Sequence, residues 1–379
     1  MARNSDFYRG RRRRRSRVLV PAAILLGLIS LIVVLFYGMQ KYAVITKDKV
    51  YVVPPMLAGE EEDEEPGVEA VSHEATEAEI IFERPDYSGV EAQAGYGLQP
   101  MRAIFVSADE FNVDKINEYA NRLVVGNALL IELKPRSGLV QWDCKAWSAT
   151  AFGLAGNPFS AEMRTTLAML KEKGVYLAAQ ISICRDELYA SRSTVVTLRN
   201  QANGLNYSDE DGFWLDAYNQ DLRDYTVVMV KELYALGFDE VVLADVAHPV
   251  APEGESLSLI YTRDMSTPPS AVNAVCGFAV SVAERLEDRE GKLSIYVDSQ
   301  KALVGLDSDN GQDGALFFKL FDRVYFRTDR YAYTFNVQDL RGKVRIGTLN
   351  ERFVPVLQNY LPDNPDTMSW VLIDTETKP

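Results

Sequence analysis

Metal and redox chemistry have little to draw on in this chain. Its 379 residues include three cysteines and two histidines. Cys144, Cys184 and Cys276 lie far apart, without the short spacing of a metal site. Their odd number leaves at least one unpaired or bonded between chains, and small buried hydrophobes are the expected role. His73 falls in an acidic tract and reads as solvated, which leaves His248. No metal and no cofactor are therefore expected. Positive charge is also short: Lys and Arg number 40 against 54 Asp and Glu, a net charge of -14. That balance argues against nucleic acid, whose phosphates need a basic surface. No glycine-rich phosphate loop follows the first strand pattern, and no internal repeat is visible. What remains is an ordinary globular composition, 47% hydrophobic.

The scarce positive charge is concentrated at the start. Residues 1–17 form a basic tail with Arg11 to Arg15 consecutive. Val18 to Tyr37 then runs 20 residues without a charge, enough to span a bilayer as a helix. The arginines place the tail in the cytoplasm and everything after Tyr37 outside it. No small-residue cleavage site follows, so the segment reads as an uncleaved single-pass anchor in the cell membrane. Residues 38–58 hold a small hairpin, Tyr42–Val53, closed by Pro54 and Pro55. Residues 59–97 begin with an acidic, aromatic-poor tract that reads as a disordered spacer.

From residue 98 to 379 strand-like and helix-like patterns alternate. Strands are expected at Arg102–Val106, Ala128–Lys134, Val175–Cys184, Glu240–Asp245, Lys292–Asp298, Arg323–Arg327, Lys343–Thr348 and Ser369–Asp374. Helices are expected at Val113–Leu123, Ala161–Lys173, Asp221–Leu236, Ala271–Asp288, Gln312–Phe321 and Asn350–Tyr360. Eight strands with intervening helices count out as a (β/α)8 TIM barrel, with a doubly wound open sheet as runner-up.

Active sites of such barrels gather at the C-terminal strand ends. Asp245 and Asp298 end neighbouring strands and could form the carboxylate pair of a glycosidase. Asp245 shares strand parity with Val241 and Leu243, and this is expected to be the inner face. Each carboxylate could equally be paired with Arg327 or Lys134. Tyr296 and Arg327 alternate with apolar neighbours, and His248 follows the fourth strand. Trp142, Trp147 and Trp214 could stack on sugars, although packing is the commoner use. Arg185 and Asp186 read as a local surface pair.

Four stretches look familiar together. They are LLIELKPRSGLVQW at Leu129–Trp142, LKEKGVYLAAQISICRD at Leu170–Asp186, WLDAYNQDLRDY at Trp214–Tyr225 and GFDEVVLADVAHP at Gly237–Pro249. In order and spacing the chain resembles a bacterial membrane-anchored glycoside hydrolase-like family, the DUF4015 type, from about Met101 to Arg327. The resemblance implies a TIM barrel and action on glycans. It carries over to Glu132, Lys134, Asp186, Trp214 and Asp216 as substrate-binding residues and no further; His248, Tyr296 and Arg327 join them only from their place at the strand ends. Glu132 stands where the family has Asp, and Gln180 where it has Arg. The family's Asp in the last stretch falls on Ala244, one place before Asp245. The expected function is a cell-surface glycoside hydrolase acting on envelope or extracellular polysaccharide. The alternative is a barrel that binds glycan, or an envelope partner, without cleaving it.

Overall fold

The computed structural model describes residues 43–46, 49–52, 97–123, 126–210, 212–252, 256–262, 269–329, 336, 338–340, 349–362 and 365–374. The chain divides into two units, Met1–Glu79 and Ile80–Pro379. In the first, Ala43–Thr46 and Lys49–Val52 pair antiparallel, with Ala43 opposite Val52, inside the expected hairpin. The expected membrane span, 18–37, and most of the acidic spacer lie outside the described residues. Among the described residues no helix is long and apolar enough to cross a membrane.

The second unit is a closed eight-stranded barrel. Its strands are β1 (Arg102–Val106), β2 (Ala128–Lys134), β3 (Tyr176–Ser182), β4 (Glu240–Ala244), β5 (Lys292–Val297), β6 (Val324–Arg327), β7 (Phe353–Gln358) and β8 (Trp370–Ile373). Each pairs in parallel with the next, and β8 closes on β1 with Trp370 opposite Arg102. The main helices are α1 (Val113–Asn121), α2 (Ala161–Glu172), α3 (Gln220–Ala235), α4 (Ala271–Arg285) and α5 (Gly314–Leu320). Each starts on a side chain that accepts from a first-turn N–H, namely Asn112, Ser160, Asn219, Ser270 and Asp313. Such caps satisfy donors that a helix start leaves orphaned.

Period-2 alternation divides the strands between two cores. Met101, Ala103, Leu130, Ala178, Val242, Tyr325, Val354 and Val371 cluster with no helix residue and fill the barrel. Ile104, Ile131, Leu177, Val241, Leu243, Ile295 and Val324 join the helices in the outer layer. The expectation that Val241 and Leu243 face inward is therefore corrected: they face the helices. The inner positions of β4 are Glu240, Val242 and Ala244. At the N-terminal end of the barrel Glu240 is fully buried against Arg323. Tyr176 and Tyr325 donate to its two oxygens at 2.9 and 2.7 Å. A buried carboxylate is tolerated only with such partners, and this plug closes the end opposite the cavity.

The seventh strand is also corrected. Phe353–Gln358 forms β7 after a short helix, Leu349–Arg352, where a helix was expected over Asn350–Tyr360. Pro355 sits within it, opposite Phe326, although proline is normally kept out of central strands. Phe353 to Leu357 are all buried, and burial on both faces decides. The expected strand Lys343–Thr348 lies outside the described residues. All three cysteines are buried, and none is in a disulfide.

Candidate active site

A cavity of about 780 Å³ opens at the C-terminal strand ends. Every barrel strand, or the loop just after it, contributes to its lining. The barrel gives walls from Phe105, Leu130, Phe326, Val356 and Ile373, with polar groups concentrated between β2 and β6.

Asp245 follows the last residue of β4 and has φ 55, the left-handed region that Asp tolerates better than most residues. In a continued strand its side chain would point to the helices with Leu243. The left-handed turn sends it into the mouth instead. There Arg136 donates to Oδ1 from Nε at 3.0 Å and Nη2 at 2.7 Å. Ser182 Oγ lies 2.6 Å from Oδ2 and 2.8 Å from the Arg185 carbonyl, so its single hydrogen serves one at a time. The counter-ion of Asp245 is thus Arg136, not Arg327 or Lys134.

Asp298, immediately after β5, has no ion-pair partner within reach among the described residues. Its carboxyl is pushed up to about 7, first by the protein packed around it and then by the negative charge of Asp245. Arg136, Arg185 and a hydrogen bond from Gln312 oppose the rise. Asp298 is surface-accessible at the cavity wall, so cavity water offsets part of the desolvation. Glu132, near the end of β2, is also raised, chiefly by burial, while the Ala108 N–H donates to Oε2 at 3.2 Å.

Two further lining groups are fixed in place. His248 donates from Nδ1 to the Pro249 carbonyl at 2.8 Å, and Nε2 lies 2.9 Å from the Tyr261 hydroxyl. Burial lowers its pKa, favouring the neutral imidazole. Arg185 stacks over the Trp214 ring at 4.0 Å and pairs with both oxygens of Asp209 at 3.1 Å. Trp214 Nε1 donates to Asp209 at 2.6 Å. One face of the indole is therefore covered by a cation. Arg185 belongs to the cavity wall, which corrects its reading as a surface partner of Asp186.

Of the residues singled out from sequence, Glu132, Trp214, Asp245, His248, Tyr296, Asp298 and Arg327 line this one cavity. Lys134, Asp186 and Asp216 are buried outside its lining. Lys134 pairs with Asp186 at 2.7 Å and donates to the Ser182 carbonyl at 2.6 Å. Asp186 also caps the helix Glu187–Arg192 by accepting from Tyr189 N. Asp216 accepts from Thr262 N and Oγ1 and from Tyr218 N, anchoring the loop beyond β4. Trp142 is core, with Nε1 on Glu232, and Trp147 is exposed away from the cavity. Arg136 and Asp209 went unnoticed in the sequence; Arg136 sits in a turn and Asp209 in a two-residue strand, Ser208–Asp209, too short for a periodic signal.

Residues 103–324 match the model of the DUF4015 family, described as "Putative glycosyl hydrolase domain". The chain belongs to this family. The match runs from the second residue of β1 to the first residue of β6 and includes Asp245 and Asp298. No curated protein matches the chain. Among solved structures it is similar to the PgaB (BpsB) glycoside hydrolase domain from Bordetella bronchiseptica, at 13% identity and a TM-score of 0.48. That likeness covers 72% of this chain and 94% of that one. It is also similar to Aspergillus fumigatus Ega3 in complex with galactosamine, at 11% identity and a TM-score of 0.40, over 76% and 96% of the two chains. A hypothetical protein from Ruminiclostridium thermocellum shares 18% identity at a TM-score of 0.41, over 51% and 96%. By the family match and its own closed barrel, the domain is glycosyl hydrolase-like.

Proposed function

We propose that this protein hydrolyses a glycosidic bond in an envelope or extracellular polysaccharide, with Asp298 as general acid and Asp245 as the charged carboxylate. The supporting observation is that two of the carboxylates in one cavity, Asp245 and Asp298, sit in unlike settings. Asp245 has a cation and a hydroxyl on its oxygens, and Asp298 has a proton affinity raised to about 7. Glycoside hydrolysis needs this division, a protonated acid beside an ionised partner. Asp298 gives its proton to the glycosidic oxygen as the bond to the anomeric carbon breaks. Asp245 faces the positive charge that develops on the sugar, as nucleophile or as base for water. The hydroxide of a water ends on the anomeric carbon and its remaining proton returns to a carboxylate. The protein is held at the cell surface by the segment 18–37, with the barrel outside the cytoplasm.

A second reading has its own support. Arg136 donates two hydrogen bonds to one oxygen of Asp245, a neutralised arrangement that suits binding without cleavage. Reducing-sugar release from cell-wall and exopolysaccharide panels separates the two. The hydrolase reading expects release by the wild type, lost in Asp298→Asn and Asp245→Asn while glycan binding persists. No release from any glycan that the wild type binds would leave the barrel a binder.

A further inference from the structure

Behind the cavity wall lies a side chain that touches both carboxylate-bearing strand ends. Gln312 is fully buried, in a short strand Gln312–Asp313 of the connection from β5 to α5. Its Oε1 accepts from the Asp298 N–H at 2.9 Å and from Asn310 Nδ2 at 3.2 Å. Its Nε2 donates to the Val246 carbonyl at 3.0 Å and to Asp298 Oδ2 at 3.1 Å, with the Tyr296 carbonyl at 3.4 Å. The amide has one orientation. Val246 and Tyr296 offer only carbonyl oxygens and the Asp298 backbone only a donor, so a flipped amide would set like against like.

Each contact constrains the carboxylate pair. Val246 is the residue after Asp245, so the bond to its carbonyl pins the strand end from which Asp245 turns inward. The bonds to Asp298 pin both its backbone and one carboxyl oxygen. The neighbouring Asn310 carbonyl accepts from His248 N at 2.8 Å, a second tie between the same two strand ends. We propose that Gln312 is the positioning residue of the carboxylate pair, setting the interval between Asp245 and Asp298 and holding Oδ2 of Asp298 so that its proton sits on Oδ1. The inference rests on the acid role given to Asp298. With Oδ2 accepting from an amide N–H, Oδ1 is the oxygen left to carry the proton, so the acid has a fixed direction.

The charged and titratable groups acting on Asp298 are Asp245 after β4, Arg136 after β2 and Arg185 after β3; Gln312 adds a neutral donor. Among these the donor is removable without changing a charge. A hydrogen bond to the ionised form lowers a carboxyl pKa, so its loss raises the midpoint of Asp298.

The test needs no turnover. Melting temperatures of the full-length chain are measured from pH 4 to 9 with and without Asp298→Asn, in the wild-type and Gln312→Met backgrounds. Within each background, the Asp298→Asn difference grows from about pH 4, the ordinary carboxyl value, and the pH at which it levels off reports the Asp298 midpoint. Gln312→Met is expected to move that midpoint up by about 1 to 2 pH units, the size of a hydrogen bond to a charged group. A purely structural glutamine would lower the melting temperature without moving the midpoint, and an unmoved midpoint overturns the proposal. If Gln312→Met does not fold, the near-isosteric Gln312→Glu replaces it. Once ionised it cannot donate to Oδ2, so the midpoint must again rise, and an unmoved one overturns the proposal. Absence of hydrolysis by the wild type would sink the acid role while leaving the measured midpoints intact, so the two failures are distinct.

Discussion

Replacing Asp298 with Asn should stabilise the barrel above neutral pH and leave it nearly unchanged near pH 4. The carboxyl is raised from an ordinary 3.8 to about 7 by surrounding protein and by Asp245. Between those values the folded chain holds a proton that the unfolded chain has released. Stability from this group is therefore fully present below about pH 4 and is lost as pH rises through about 7. The shift corresponds to ~4 kcal/mol if no water reached the group. Asp298 is open to the cavity, and solvent screening reduces the expected effect to about 1 kcal/mol. Asn removes the charge and keeps an oxygen to accept from Gln312. For a domain of this size that amounts to a melting temperature higher by roughly 2–4 °C at pH 8.5. Thermal melts of both proteins across pH 4 to 9 supply the measurement. A difference that stays constant with pH, or that favours the wild type at high pH, would refute the assignment of a raised carboxyl to Asp298.

Two substitutions test the buried supports beneath the cavity. Lys134→Met leaves Asp186 fully buried without its cation. It should cost about 3–5 kcal/mol in urea unfolding, and adding Asp186→Asn should recover much of the loss because the uncompensated charge is gone. Gly138→Ala should be at least as damaging. Gly138 has φ +87, and a β-carbon there would lie 1.9 Å from Asp186 Oδ1. The left-handed penalty and the overlap together make ~3 kcal/mol or more, and an unchanged melting curve would show that Asp186 can move aside.

The barrel was legible because burial writes itself into apolar runs. Seven of the eight strands fall where such runs lie between capped helices, for example Ala128–Lys134 and Lys292–Val297. The eighth, β7, was missed because Pro355 argues locally against a central strand, whereas its stability comes from partners β6 and β8 that no local pattern encodes. The site was legible in part. A polar residue at period 2 in a core strand needs a use, and Tyr296, Asp298 and Arg327 reach the cavity by that rule. Lys134 obeys the same rule and goes elsewhere, since a charged strand end can be satisfied by a buried partner as well as by a ligand. Arg136 lies in a turn, Pro135 to Gly138, where sequence sets no direction for a long side chain.

Asp245 shows why parity alone misleads at a strand end. Strict alternation assigns the inner face to Ala244 and the outer face to Asp245, the reverse of what a cavity carboxylate requires. One residue of left-handed backbone changes the rule locally. It costs ~1–2 kcal/mol for a residue with a side chain, and the three contacts from Arg136 and Ser182 offset that cost at the point where it arises. Ala244 lines the cavity from the inner face. In this chain the inner position carries Ala, and the carboxylate enters the mouth from the next residue. Backbone conformation at the strand end, not the identity of the inner residue, therefore decides whether an acid reaches the mouth of this barrel.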